Sequence, residues 1–310
     1  MNKNVNIVSF NILNRQYSPI QMLFKKYNLN KEEIKQIVKK EIKRFNYVIG
    51  PSLINFFKEI SHDSIICLQE VNTNFLHLIK NNFNKELVFV NTEQDYIIQS
   101  IKNGEKGKNT YDDYRVIILP EFFLEYNITS KDIQIISTNA SKAGLMVMIN
   151  KDDFNLMIIN IHLHWKLSSN ELTDVAEKIY GDIKKTYIDL TKIKLIILGD
   201  FNKGEKKVEN FFIKPINLNS VIKIKNNYKT DYYDFTSHTT DVTETKLFDV
   251  IDHILTYGIL VNKSTQIIKN IALSNILINS EQLLDKLLTD TNFNFENISD
   301  HLLLKLQVKL

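Results

Sequence analysis

The sequence predicts a single α/β domain spanning residues 1–310, and three observations predict it. Short apolar runs rich in β-branched residues alternate with longer amphipathic stretches from one end of the chain to the other. Many of the short runs are apolar at every position, the pattern of strands buried on both faces. Only 8 Gly and 4 Pro occur, with no internal repeat, heptad array or low-complexity linker, so nothing marks a hinge between domains. At 44% hydrophobic content the chain has enough apolar side chains for one large two-sheet core.

Taken in order, residues 5–12, 64–71, 87–91, 116–119, 145–149, 154–163, 194–198, 250–257 and 302–308 read as strands. Between the first two, Ile34, Ile37, Val38, Ile42, Phe45, Val48 and Ile49 recur at helical spacing. Pro51 is expected to interrupt that helix before Leu53, Phe56, Phe57 and Ile60 continue the stripe. Residues 171–191 give a second amphipathic helix. Residues 99–113, with Gly104, Gly107 and several lysines, read as a solvated surface loop between two strands.

Composition removes several classes of function. Cys67 is the single cysteine, which excludes an intramolecular disulfide framework and a Cys-rich zinc site. It lies within Ser64-Ile65-Ile66-Cys67-Leu68, where a buried, unreactive thiol is expected. Polar residues interrupt the N-terminal segment early, and no apolar run reaches membrane-spanning length. An intracellular, cytoplasmic protein without a membrane partner is therefore expected. A formal charge of +3 and a pI near 8.6 permit a polyanionic substrate without selecting one.

The informative feature is where polar groups fall, because they gather at the ends of apolar strands. One run ends in Asn11, a second in Glu70, a third in His162, and a fourth in Gly199-Asp200-Phe201-Asn202. Asp252 lies inside an apolar run, and Asp300-His301 opens the last strand. Taken singly, each has a structural explanation: Asn11 as a turn cap, Glu70 preceding a helix near Asn72, His162 as a hydrogen-bonded core residue. Taken jointly, they form a chemical set. Glu70 and Asp300 are hard carboxylates suited to magnesium, and two histidines, His162 and His301, titrate near neutral pH. His162-Leu163-His164 also has the spacing of two zinc ligands on one strand face. No metalloprotease helix motif and no later Gly-Asn-His of a dinuclear phosphatase accompanies it, which counts against zinc.

In order, Ser9-Phe10-Asn11-Ile12-Leu13, Cys67-Leu68-Gln69-Glu70-Val71, Asn160-Ile161-His162-Leu163, Gly199-Asp200-Phe201-Asn202, Ile251-Asp252-His253-Ile254 and Ser299-Asp300-His301 resemble the six motifs of the endonuclease/exonuclease/phosphatase superfamily. The resemblance implies a four-layer α/β/β/α sandwich of the DNase I-like type, with two sheets face to face and helices outside. It implies Glu70 as the principal ligand of a magnesium ion, with Asn11 and Asp300 beside it and manganese able to substitute. Asp200 and Asn202 would position the attacking water and hold the phosphate. His301, oriented by Asp252, would act on the nucleophile, and His162 would steady the phosphoryl oxygens.

Within the superfamily, His162-Leu163-His164-Trp165 and the long insert carrying Arg44 resemble the CCR4-type deadenylases and the related 2′-phosphodiesterases. That likeness implies a 3′-to-5′ exonuclease on single-stranded RNA, with His164, Trp165 and Phe248 contacting substrate. Lys166-Leu167 stand where those enzymes commonly have a proline, and Phe248 is out of register with their aromatic before the fifth-motif acid. Only a weak adenine preference is therefore expected. No leucine-rich repeat precedes these motifs, so docking on a deadenylase scaffold through one is not expected. The alternatives are a DNA endonuclease or abasic-site repair nuclease, then a lipid or inositol phosphoesterase, then an inactive binding module.

Overall fold

The structure is a computed structural model that describes residues 3–12, 30, 32, 35–36, 39, 45–92, 95–100, 106–111, 113–136, 140–164, 167–186, 192–213, 237–238, 248–249, 251–268 and 303–310. One six-stranded sheet contains β1 (Asn4–Asn11), β2 (Ser64–Val71), β3 (Val88–Val90), β6 (Tyr114–Ile118), β14 (Leu260–Ile268) and β15 (Leu303–Lys309). Its order is β14-β15-β1-β2-β6-β3. The second, seven-stranded sheet contains β4 (Asp95–Ser100), β5 (Lys106–Tyr111), β7 (Asn127–Ile136), β8 (Ala140–Lys151), β9 (Phe154–His162), β10 (Lys194–Asp200) and β13 (Asp252–Tyr257). It runs β13-β10-β9-β8-β4-β5, with β7 also paired to β8. Ser237–His238 (β11) and Phe248–Asp249 (β12) form a separate two-residue ladder.

Period-2 alternation sorts the apolar strand residues into layers. Val5, Ile7, Ile65, Cys67, Leu145, Val147, Leu156, Ile158, Ile196 and Leu198 fill one core between the sheets. Val8, Phe10, Ile66 and Leu68 project the other way, onto α1 (Gly50–Ile60) and α2 (Thr73–Asn82) through Leu53, Phe57, Phe75 and Ile79. On the far side, Met157, Ile159, Ile161, Leu195 and Ile197 meet Leu172, Val175, Ile179 and Ile183 of α3 (Ser169–Thr186). Continuous apolar runs were the sequence sign of this arrangement, since each central strand is covered on both faces. The result is the expected four-layer sandwich.

Several expectations need correction. Residues 106–111 are not loop: β5 pairs with β4 from Asp95↔Tyr111 to Ser100↔Lys106 and extends the second sheet as a hairpin. Pro51 lies in the first turn of α1, and the turn before it, Phe45–Ile49, is π-helical. β7 and β14 escaped notice because polar residues occupy much of Asn-Ile-Thr-Ser-Lys-Asp-Ile-Gln-Ile-Ile and Leu-Val-Asn-Lys-Ser-Thr-Gln-Ile-Ile. The predicted helical positions Ile34, Ile37, Val38 and Ile42, and Arg44, lie outside the described residues. Cys67 is fully buried, and burial pushes its thiol well above the ordinary range, so it stays protonated and inert. Among the described residues, no helix is long and apolar enough to cross a membrane.

Candidate active site

The inter-sheet face that is apolar through most of the sandwich turns polar at one end. In β1, Val5 and Ile7 are followed at two-residue steps by Ser9 and Asn11; in β2, Ile65 and Cys67 by Gln69. In β9, Leu156 and Ile158 give way to Asn160 and His162, and in β10 Ile196 and Leu198 give way to Asp200. β1 runs parallel to β2 and β9 parallel to β10, so these polar residues all stand at carboxyl ends of strands. Register then sets Asp200 between His162 on one side and Asp252 on the other.

Glu70 departs from this parity. Pairing of β2 with β6 shifts register between Leu68 and Val71, and Glu70 takes φ 55°, in the left-handed region. A bulge of this kind re-aims a side chain that simple alternation would send to the other face. Glu70 Oε1 accepts a 3.0 Å bond from Asn11 Nδ2, and the same amide nitrogen lies 3.0 Å from Asp200 Oδ2. Asn11 thus ties a carboxylate of one sheet to a carboxylate of the other.

The Gly-Asp-Phe-Asn turn is constrained as tightly. Gly199 has φ 128°, and a Cβ there would stand 2.0 Å from the carbonyl oxygen of Ile161 on the neighbouring strand. Asn202, at φ 50°, donates from its backbone N–H to Asp200 Oδ1 at 2.8 Å. Its side-chain amide reaches Asp200 Oδ2 at 3.0 Å and the carbonyl of Leu163 at 2.9 Å. Gly199→Ala is expected to lower stability by about 3 kcal/mol or more, because it combines a backbone clash with a glycine-only conformation. A chemical melt within about 1 kcal/mol of wild type would contradict this account.

His162 is the meeting point of the charged groups. Its Nε2 lies 3.5 Å from Asp200 Oδ2 and 3.6 Å from Glu70 Oε1, and its Nδ1 lies 3.6 Å from Asp113 Oδ2. Lys142 Nζ sits 2.9 Å from both ring nitrogens. An ammonium only donates, so Lys142 bonds whichever ring nitrogen carries the lone pair. Lys142 Nζ is also 3.8 Å from Asp113 Oδ2, and the fully buried Arg115 guanidinium is 3.3 Å from Asp113 Oδ1.

Of the residues singled out in the sequence, Asn11, Glu70, His162, Asp200 and Asn202 converge, with Asp252 buried on the adjacent strand. His164 is buried just beyond the end of β9; the metal-type cluster among the described residues comprises Glu70, His162 and Asp200 and does not include it. His253 is a core histidine, its Nε2 2.8 Å from the carbonyl of Lys203 and its ring edge-on to Phe201. Trp165, Asp300 and His301 lie outside the described residues, and Phe248 pairs with His238 in the small ladder.

Sequence reasoning missed Asp113, Lys142 and Arg115. Asp113 closes the stretch read as loop, and Lys142 is a lone lysine on the polar approach to an apolar run, so neither carried a periodic signal. Lys142→Met is expected to reduce turnover about 100-fold, the scale for removing one donor to a charged transition state. Lys142→Arg is expected to restore part of the loss. Steady-state kinetics with unchanged turnover in Lys142→Met would remove Lys142 from the machinery.

Donor chemistry decides what the cluster fits. Ligand atoms of Glu70, His162 and Asp200 all lie within 4.8 Å of one another. Glu70, Asp113 and Asp200 bring three carboxylates to this cluster, with Lys142 and Arg115 beside Asp113. Carboxylate and amide oxygens of this kind suit a hard divalent ion.

The fold is that of solved endonuclease/exonuclease/phosphatase proteins. D. rerio TDP2, solved with a single-strand DNA product, aligns with 99% of this chain and 100% of its own at a TM-score of 0.59 and 14% identity. An endonuclease/exonuclease/phosphatase protein from Bacteroides vulgatus covers 99% of each chain, with a TM-score of 0.59 and 16% identity. ANGEL2, a 2′,3′-cyclic phosphatase solved with adenosine-2′,3′-vanadate, covers 100% of this chain and 96% of its own, with a TM-score of 0.57 and 14% identity. No family model and no curated protein sequence matches the chain.

Proposed function

We propose that this chain is a divalent-metal-dependent phosphodiesterase acting on nucleic acid, and that its substrate is single-stranded RNA degraded from the 3′ end. The observation that carries the reading is the convergence of Glu70, His162 and Asp200 at the carboxyl ends of strands from two facing sheets. Glu70 and Asp200, with Asn11 and Asp300 beside them, would hold a magnesium ion, with manganese able to replace it. When bound, that ion neutralises charge on a phosphoryl oxygen.

The protein's own groups supply the rest. Asp200, fixed by Asn11 and Asn202, positions the attacking water. His162 donates to a non-bridging phosphoryl oxygen as charge builds up, Lys142 beside it adds a positive charge, and Asn202 holds Asp200 in place. Asp252 orients His301, which acts on the nucleophile. His164, Trp165 and Phe248 contact the nucleotide being removed, and the missing proline after Trp165 loosens that contact. One stacked base is worth about 1–3 kcal/mol, so the loosened contact leaves only a weak adenine preference.

A DNA substrate is the second reading, and it is supported by the single-strand DNA product bound to D. rerio TDP2, which has the same fold. The test is digestion of 5′-labelled mixed-sequence RNA, poly(A), single-stranded DNA and an abasic duplex side by side with magnesium. The expected result is an RNA ladder shortening one nucleotide at a time, with poly(A) only slightly favoured. Cuts within circular RNA, or faster cleavage of the abasic duplex than of any RNA, would overturn it in favour of the DNA reading.

A further inference from the structure

We propose that Asn160 is a positioning residue for the candidate metal centre: its side-chain amide holds the bulge in β2 that turns Glu70 toward Asp200. The proposal rests on the reading of Glu70 as a metal ligand. Glu70 stands at φ 55°, a backbone state that a glutamate adopts only where its surroundings impose it. The bulge lies between Leu68↔Val116, the last regular pair of the β2–β6 ladder, and Val71↔Tyr114, where pairing resumes. Asn160 belongs to the opposite sheet, yet its Nδ2 donates to the carbonyls of Leu68 at 2.9 Å and Val116 at 3.1 Å. Those are the two residues of that last regular pair, one on each strand.

The other half of the same amide completes the clamp. Asn160 Oδ1 accepts a 2.7 Å bond from Nε2 of Gln69, the residue immediately before Glu70. One fully buried side chain therefore binds both strands at the point where the ladder breaks, and also the side chain next to the displaced one. Buried amides of this kind are rigid because every lost bond leaves a desolvated polar group behind. Two residues further along β9, His162 faces Glu70 itself, so the strand that holds the bulge also carries one of the groups the bulge serves. None of these three bonds goes to Glu70 or Asp200, so Asn160 acts through the β2–β6 backbone and the Gln69 side chain.

The test measures Mn2+ binding to the full chain by calorimetry or by the spin-resonance signal of free Mn2+, together with thermal melting. Asn160→Leu is expected to weaken Mn2+ binding about 10–100-fold, the usual scale for groups that orient a ligand from behind. Gln69→Met, which leaves Asn160's two donors in place, is expected to weaken it by a smaller factor. Asn160→Leu added to Glu70→Gln is expected to cost no further affinity. A role confined to joining the sheets would lower the melting temperature and leave the Mn2+ dissociation constant of the folded protein unchanged, and that result overturns the proposal. Should Asn160→Leu fail to fold, Gln69→Met decides alone: unchanged affinity overturns the proposal and weakened affinity supports it. If Glu70→Gln binds Mn2+ as wild type does, the metal assignment falls and this proposal with it. If Glu70→Gln loses binding while Asn160→Leu retains it, only this proposal falls.

Discussion

Asp200→Ala and Glu70→Ala are each expected to lower hydrolysis by about three orders of magnitude or more while leaving the fold intact. Asp200 receives bonds from Asn11 and from both the backbone and side chain of Asn202, and it faces His162 at 3.5 Å. Removing it takes away four contacts to three neighbours at once. Glu70 is the carboxylate brought in from the other sheet, tied to Asp200 through the Asn11 amide. Stability should move differently from activity at Glu70. Its left-handed backbone costs about 1–3 kcal/mol, which an asparagine tolerates better. Glu70→Asn is therefore expected to melt no lower than wild type and to be inactive, a separation typical of strain held at a working site. Single-turnover rates paired with calorimetric melts check both halves. A folded Asp200 or Glu70 variant that retains a tenth of wild-type turnover would sink the assignment of that residue.

How far the sequence reveals this site follows from its geometry. Asn11, His162 and Asp200 were legible because each continues a two-residue series of inward-facing side chains past the end of an apolar run, so a polar residue there stands out. Gln69 and Asn160 lie on the same series and were visible as letters within motifs, but their pairing across sheets depends on how the two sheets face, which no local pattern encodes. Glu70 was found through its motif, whereas its direction was not legible, since alternation alone sends it to the wrong face and only the bulge corrects this. Asp113, Lys142 and Arg115 were lost for a third reason. They flank or begin strands whose approaches are polar, and a charged residue in polar surroundings reads as solvated until tertiary packing buries it. The same cause hid β5 and β7: strands rich in lysine, threonine and asparagine read as loop. The layered core was the most legible part, because strands covered on both faces must be apolar throughout.

Activity is expected to fall to background in excess EDTA and to return on adding magnesium or manganese, an effect as large as the loss of either carboxylate. Glu70, Asp113 and Asp200 bring three carboxylates around His162. Such oxygen donors suit a hard divalent ion at Glu70 and Asp200, whereas a soft-ligand ion finds no thiolate among the described residues, since Cys67 is buried in the core. Binding to the folded state alone also raises stability, by about 2.7 kcal/mol at an ion concentration 100 times the dissociation constant. Magnesium is therefore expected to raise the melting temperature of the wild-type chain and to leave that of Glu70→Ala nearly unchanged. Because melting is read without substrate, the two measurements are independent. Undiminished cleavage in excess chelator would refute the metal mechanism, and a magnesium-dependent melt that persists in Glu70→Ala would move the ion to a different site.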